Sequence, residues 1–401
     1  MKPINLIFRG LMIIALGVGV WLSILPMTQP VAARPAPVLN QNSTPRRPDA
    51  QAALCEGRFL SISPALTDLG NNEYIRISGG SDGVMSGPTG FTGGLYPGGS
   101  NERPAAHTAA GLELASQITP LDATGAPDPN GWIGLVSIGM SNTASEFSDF
   151  RKLALDDPEV NTRLNIVNAA QSGKVASYWV DPQNEAWDNL DLMMAHRGVT
   201  DPQVQVVWIK LTNFYMEDFP RRQLELQADL EIILRLLKEK FPNLKLTYFS
   251  SRTRSYAYWQ GAAGPEPGAF ENGFAVKWLV EKQIDGDPSL NFDPRRGPVL
   301  VPYISWGPYL WADGENPRSD GLVWLQADMK YDCVHPSLAG RAKVANMLLT
   351  FFKSDVTAQG WFLANPNPIP HKIYLQTVFN QYVAEELPNP VRPLGSRPLK
   401  R

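Results

Sequence analysis

Trp132-Ile133-Gly134-Leu135-Val136-Ser137-Ile138-Gly139-Met140-Ser141-Asn142-Thr143 decides the fold. The segment from Trp132 to Ile138 is an apolar run that stops at Gly139. A run of that kind, without polar alternation, reads as a strand buried on both faces of a parallel sheet. Further short apolar runs follow at Leu164–Ala169, Val204–Leu211, Leu244–Ser250 and Pro298–Ile304. Helical patterns lie between and after them. Arg222–Lys240 carries a broad apolar stripe of Leu224, Leu226, Leu230, Ile233, Leu234 and Leu237, and Pro242 ends it, because proline disfavours helix in the residue before it. Leu338–Lys353 is another helical pattern. Strands alternating with helices in this way predict a three-layer α/β domain over residues 131–355.

Open parallel sheets place their sites beyond the carboxyl ends of the strands. The residues just after each run are therefore informative. Gly139-Met140-Ser141-Asn142 comes after the first, Gln171-Ser172-Gly173 after the second and Leu211-Thr212-Asn213 after the third. Asp332-Cys333-Val334-His335-Pro336-Ser337 precedes the last helix. A serine, a glycine, an asparagine and an Asp-x-x-His would meet on one rim.

That order and spacing resemble the SGNH (GDSL-like) hydrolase family. The resemblance covers about residues 132–352 and is most specific at Asp332–His335. It implies a flavodoxin-like sandwich with a five-stranded parallel sheet in the order 2-1-3-4-5. It further implies Ser141 as nucleophile, His335 as general base and Asp332 as the residue that orients the imidazole. The N–H groups of Ser141 and Gly173 and the side-chain amide of Asn213 would form the oxyanion hole. The chemistry is consistent with these residue types. A hydroxyl attacks only when a base takes its proton, and neutral imidazole is suited to that near neutral pH. The sequence departs from the family at Met140, where an aspartate is common, and at Leu211-Thr212-Asn213-Phe214, where Gly-x-Asn-Asp is common. The Met140 departure motivates a competing reading, a non-catalytic glycan-binding or cell-surface protein that keeps the fold.

The chain has 401 residues, of which 43% are hydrophobic, enough for a substantial core. Lys and Arg number 36 against 39 Asp and Glu, a net charge of −3 that gives no electrostatic footprint for nucleic acid. With 35 prolines and 33 glycines, long ordered loops are expected. Two cysteines exclude a disulfide scaffold and a cysteine-built metal site. No cofactor and no metal are expected.

Lys2 and Arg9 precede an apolar run from Gly10 to Leu25, and Val31-Ala32-Ala33 supplies small residues after it. Residues 1–33 thus read as a secretory signal, with an uncleaved membrane anchor as the alternative. The expected location is secreted or periplasmic, and the expected partner a small-molecule or glycan ester. Residues 34–55 read as a linker, 56–130 as a Gly/Pro-rich extension packed on the core, and 356–401 as a tail. Export permits a disulfide between Cys55 and Cys333; the alternative is two separate buried thiols. Arg252, Trp306 and Trp311 lie on loops expected to lead to the rim, and are candidates for substrate binding.

Overall fold

The computed structural model describes residues 59–77, 87–216, 218–257 and 265–366. The stretches read as signal and linker, Cys55 and the residues beyond 366 lie outside these residues. The strands are β1 (Glu73–Arg76), β2 (Gly87–Thr92), β3 (Ile133–Gly139), β4 (Leu164–Asn168), β5 (Val204–Lys210), β6 (Leu246–Phe249) and β7 (Tyr303–Trp306). The helices are α1 (Leu66–Leu69), α2 (Ala105–Ala115), α3 (Ser141–Asp156), α4 (Ala176–Trp179), α5 (Glu185–Arg197), α6 (Arg221–Lys240), α7 (Gly268–Ile284), α8 (Leu338–Ser354) and α9 (Gln359–Phe362).

Strands β3 to β7 form one parallel sheet in the spatial order β4-β3-β5-β6-β7. Counted along the chain, that is 2-1-3-4-5. Every residue of β3, β5, β6 and β7 is buried, which explains the unbroken apolar runs. Alternate residues feed opposite faces. Val136 and Ile138 pack with Leu190 of α5, Leu230 of α6 and Phe274 of α7. Ile133 and Leu135 pack with Phe147 and Phe150 of α3 and Leu348 and Phe352 of α8. The result is helices, sheet, helices: three layers with two apolar cores.

The segment before the sheet joins the first of these cores. Ile62, Leu66, Leu69 and Tyr74 are buried there. Strands β1 and β2 pair antiparallel as a small ribbon. Arg76 of β1 reaches Glu271 of α7 at 2.5 Å, and the Tyr74 hydroxyl donates to the same carboxylate at 3.0 Å.

Two boundaries and one inward-facing position differ from the sequence expectations. The last sheet strand is Tyr303–Trp306, not Pro298–Ile304. Pro298 and Pro302 have no N–H to give a ladder, so pairing begins only when Tyr303 N–H donates to Lys245 O at 3.1 Å. Leu224 is 50% exposed, and Gln223 takes the inward position on α6, where its Nε2 donates to Met216 O. The packed domain does not stop at 355: Trp361 and Phe362 are buried in the second core, and Val160 bridges to Leu363. Among the described residues no helix is long and apolar enough to cross a membrane.

Candidate active site

The strand order reverses direction around β3: β4 lies on one side of it and β5 on the other. A doubly wound sheet opens a crevice at such a point, beyond the carboxyl ends of the strands. Ser141 and Asn213 stand there, after β3 and β5 respectively. Gly139 makes the sharp passage from β3 to α3 feasible. A Cβ at this position would sit 2.4 Å from the Thr143 Oγ1, so a side chain would push the helix off the strand.

Ser141 is the first residue of α3. Its N–H is among the first four of the helix, which have no partner within it. The helix dipole adds a partial positive charge at this end. The Ser141 hydroxyl donates to His335 Nε2 at 2.7 Å. The opposite ring nitrogen, Nδ1, donates to Asp332 Oδ2 at 2.6 Å. That bond places the proton on Nδ1 and leaves Nε2 as the acceptor facing the serine.

Asp332 is held in turn by its own loop. Its Oδ1 accepts the N–H of His335 at 2.9 Å and that of Val334 at 3.1 Å. Burial raises the pKa of this carboxyl, but these two N–H bonds, the bond from the imidazole and its charge outweigh burial, and the net shift is downward. The carboxylate therefore stays ionised opposite the ring. Ser337 caps α8, accepting the Gly340 N–H at 3.3 Å, and so fixes the helix that begins just after His335. Within this loop Cys333 has a left-handed backbone, φ 64°, which a residue with a Cβ seldom adopts. Cys333 is disulfide-bonded. The expected pairing with Cys55 involves a residue outside those described.

Gly173 lies beyond β4 in a left-handed conformation, φ 74°. Its chain neighbours aside, no atom of the described residues lies within 4 Å of where its Cβ would be, so backbone conformation, not crowding, selects glycine here. Asn213 is half-buried, and both ends of its amide are engaged. Its Oδ1 accepts the Ser177 N–H at 2.9 Å and its Nδ2 donates to Asp229 Oδ2 at 2.6 Å.

Three expected rim residues are not at the surface. Arg252 and Trp306 are each 2% exposed and Trp311 is fully buried. Trp306 Nε1 donates to Leu95 O at 2.7 Å and Trp311 Nε1 to Glu266 Oε1 at 2.9 Å. Both rings anchor the loops to the core, which corrects their expected role as substrate platforms. Arg252 lies within the field of the buried carboxylates Glu146 and Glu266, and it too is withdrawn from any substrate.

Two features of the site were not foreseen. Lys210 at the end of β5 and Glu146 on α3 form a fully buried pair, at 2.7 and 2.5 Å, beneath the helix that carries Ser141. Burial pushes the ammonium of Lys210 down to about 8, although the charge of Glu146 resists this. A lysine closing an otherwise apolar strand was the available signal. The second is Asp229. It sits between Leu226 and Leu230 in sequence, where a carboxylate on a helix reads as solvated surface. At the far end of the sheet, a cleft of about 210 Å³ is lined by Leu114, Lys245, Phe292 and Tyr303. Its Lys245 donates to Gln117, its Lys238 to the Pro242 and Leu244 carbonyls, and its Arg295 pairs with Glu113.

No protein-family pattern and no curated protein matches the sequence. Solved structures align with part of the chain. A family two carbohydrate esterase from Clostridium thermocellum aligns at 15% identity and TM-score 0.35, over 56% of this chain and 64% of the other. The match thus spans less than two thirds of that protein's length. A carbohydrate acetylesterase from Xanthomonas citri aligns at 10% identity and TM-score 0.32, over 56% of each chain. Phospholipase A1 from Streptomyces albidoflavus aligns at 13% identity and TM-score 0.28, over 55% of this chain and all of the other. The chain is thus similar, at low identity and over part of its length, to solved hydrolases of the SGNH and GDSL-like kind and to carbohydrate esterases.

Proposed function

We propose that this protein is an exported serine esterase of the SGNH type, acting on acyl esters and, among these, on acetyl groups carried by glycans. One observation carries the proposal: the continuous chain of hydrogen bonds from Ser141 through His335 to Asp332, at 2.7 and 2.6 Å, in the crevice of the parallel sheet.

That chain of bonds dictates the steps. The Ser141 Oγ attacks the ester carbonyl carbon while His335 Nε2 takes its proton. The carbonyl oxygen becomes negative and is met by the N–H groups of Ser141 and Gly173 and the Asn213 amide. Asp332 stabilises the imidazolium that forms. Collapse breaks the bond to the alcohol oxygen, which receives the proton from His335 and leaves. Water then repeats the cycle against the acyl-serine, restoring the free hydroxyl and releasing the acid.

The glycan reading draws on exposed rings carried by the segments that bear the site. Tyr331 adjoins Asp332, Tyr215 lies two residues after Asn213, and Tyr178 comes directly after Ser177; they are 54, 57 and 39% exposed. Exposed aromatic faces pack well on the apolar faces of sugars. The carbohydrate esterases among the similar structures point the same way.

Hydrolysis of a chromogenic acetyl ester by the purified chain tests the reaction class. Turnover should fall by roughly 1000-fold or more in Ser141→Ala, on the order seen when a triad member is removed. Turnover that survives this substitution would sink the proposal. Release of acetate from acetylated xylan, weakened in Tyr215→Ala through KM, tests the substrate class.

A further inference from the structure

Asn213 is held from two sides by elements that the sequence does not connect with the site. The Ser177 N–H of α4 donates to its Oδ1 at 2.9 Å, and its Nδ2 donates to Asp229 Oδ2 of α6 at 2.6 Å. Together these bonds allow the amide one orientation. Turned over, its NH2 group would face an N–H and its oxygen a carboxylate. The Nδ2 atom carries two hydrogens. The bond to Asp229 uses one and leaves the second for a further acceptor.

We infer that Asp229 is a positioning residue of the reaction proposed above: it fixes the Asn213 amide so that its second N–H meets the negative oxygen of the tetrahedral intermediate. The inference rests on the esterase reading and adds to it a residue outside the four sequence blocks. Its physical basis is preorganisation. An oxyanion donor is effective when it is already aimed and spends no energy turning as charge develops. Met140, the neighbour of Ser141, is 4% exposed and offers only a thioether, a weak acceptor. The hold on Asn213 is supplied instead by α4 and α6. Asp229 is half-buried, and a carboxylate withdrawn from water in this way is retained at a cost, which burial and the nearby charge of Glu225 register by pushing its pKa up against the bond from Asn213. Asp229 touches Asn213 and no reacting atom, so it acts through that amide alone.

Steady-state kinetics of the full chain on a chromogenic acetyl ester test this. Asn213→Ala should lose about 100- to 1000-fold in kcat. Asp229→Ala should lose less, about 10- to 100-fold, with KM changed by no more than ~2-fold, because the donor remains but is no longer aimed. Asp229→Asn, whose amide oxygen still accepts the bond, should retain most of the rate. In the Asn213→Ala background, Asp229→Ala should cost nothing further, since residues acting through one another are not additive. An undiminished kcat in Asp229→Ala overturns the inference. So does an equal loss with and without Asn213, which would mark Asp229 as merely structural. If the alanine variant does not fold, Asp229→Leu, similar in shape and without an acceptor, carries the same comparison. A wild-type chain that fails to turn over esters sinks the esterase reading itself. An active wild type indifferent to Asp229 sinks only this inference.

Discussion

Asn142 Nδ2 donates to the carbonyl oxygen of Val334 at 3.0 Å, joining the residue after Ser141 to the residue before His335. Asn142 is 2% exposed, so water does not compete for the bond. It spans two segments far apart in sequence and sets the distance across which Ser141 and His335 meet. Replacing it by leucine leaves the Val334 carbonyl without this partner in the interior. Asn142→Leu should lower unfolding stability by about 1–3 kcal/mol. It should also reduce kcat by at least ~10-fold through misplacement of the pair. Urea denaturation and ester kinetics on the same preparation check both. A variant with lost stability and full kcat would show that the bond does not set the catalytic distance.

Gly173→Ala separates backbone conformation from space. Among the described residues, no atom beyond its chain neighbours would meet the added methyl group, but φ of 74° disfavours any residue with a Cβ. Stability should fall by only about 1–2 kcal/mol. Activity should fall by about 10- to 100-fold, because the loop relaxes and carries its N–H away from the developing charge. An alanine variant as active as the wild type would remove Gly173 from the oxyanion hole.

His107 of α2 predicts a dependence of stability on pH that is independent of catalysis. Burial pushes its imidazole down to about 4 from the ordinary 6.5, and the charge of Arg103 acts in the same direction, against the hydrogen bond to the Ile304 oxygen. Between those values the unfolded chain binds a proton that the folded chain refuses. Stability from this group is therefore complete above pH 6.5 and lost as pH falls through the window towards 4. From about pH 7 to about pH 5 the loss should be about 2 kcal/mol. In His107→Gln, which keeps a donor for Ile304, the decline over that range should be shallower by about this amount. Equal pH slopes for the two proteins, measured by urea denaturation, would contradict the assignment.

The disulfide at Cys333 predicts that the denatured, unreduced protein carries no free thiol among its two cysteines. Because Cys333 lies between Asp332 and His335, reduction should lower kcat while the far-ultraviolet circular dichroism of the helices is still intact. Thiol titration in guanidinium checks the first statement. Activity against ellipticity during a reductant titration checks the second.

The sheet was legible because strands buried on both faces leave long apolar runs, as Ile133–Gly139 and Val204–Lys210 do. The pairing of Ser141, Asp332 and His335 was legible because topology gathers the residues beyond such strands on one rim. Tyr303–Trp306 was displaced from its expected position by an event of hydrogen bonding, the missing N–H of Pro302, that hydropathy does not register. Trp306 and Trp311 were misplaced for a related reason. A tryptophan in a Gly/Pro-rich loop has the same composition whether its ring anchors the loop or faces solvent, and only the acceptors at Leu95 and Glu266 decide. Asp229 was hidden because a carboxylate beside a helix stripe is ordinarily solvated, and its partner arrives from another element.

Ser141 opens α3 and His335 lies just ahead of α8, and these helices share one aromatic interior, in which Phe150 and Phe352 have ring centroids 5.4 Å apart. The distance from Ser141 to His335 is thus inherited from helix packing. A change of ring size at Phe150 or Phe352 that a neighbouring side chain absorbs without loss of folding still moves one helix along the other, and with it the hydroxyl relative to the imidazole. Drift in this stretch of core is therefore screened by turnover before it is screened by foldedness. Laboratory evolution for thermal endurance would find permissive replacements on the α5, α6 and α7 side of the sheet more readily than here.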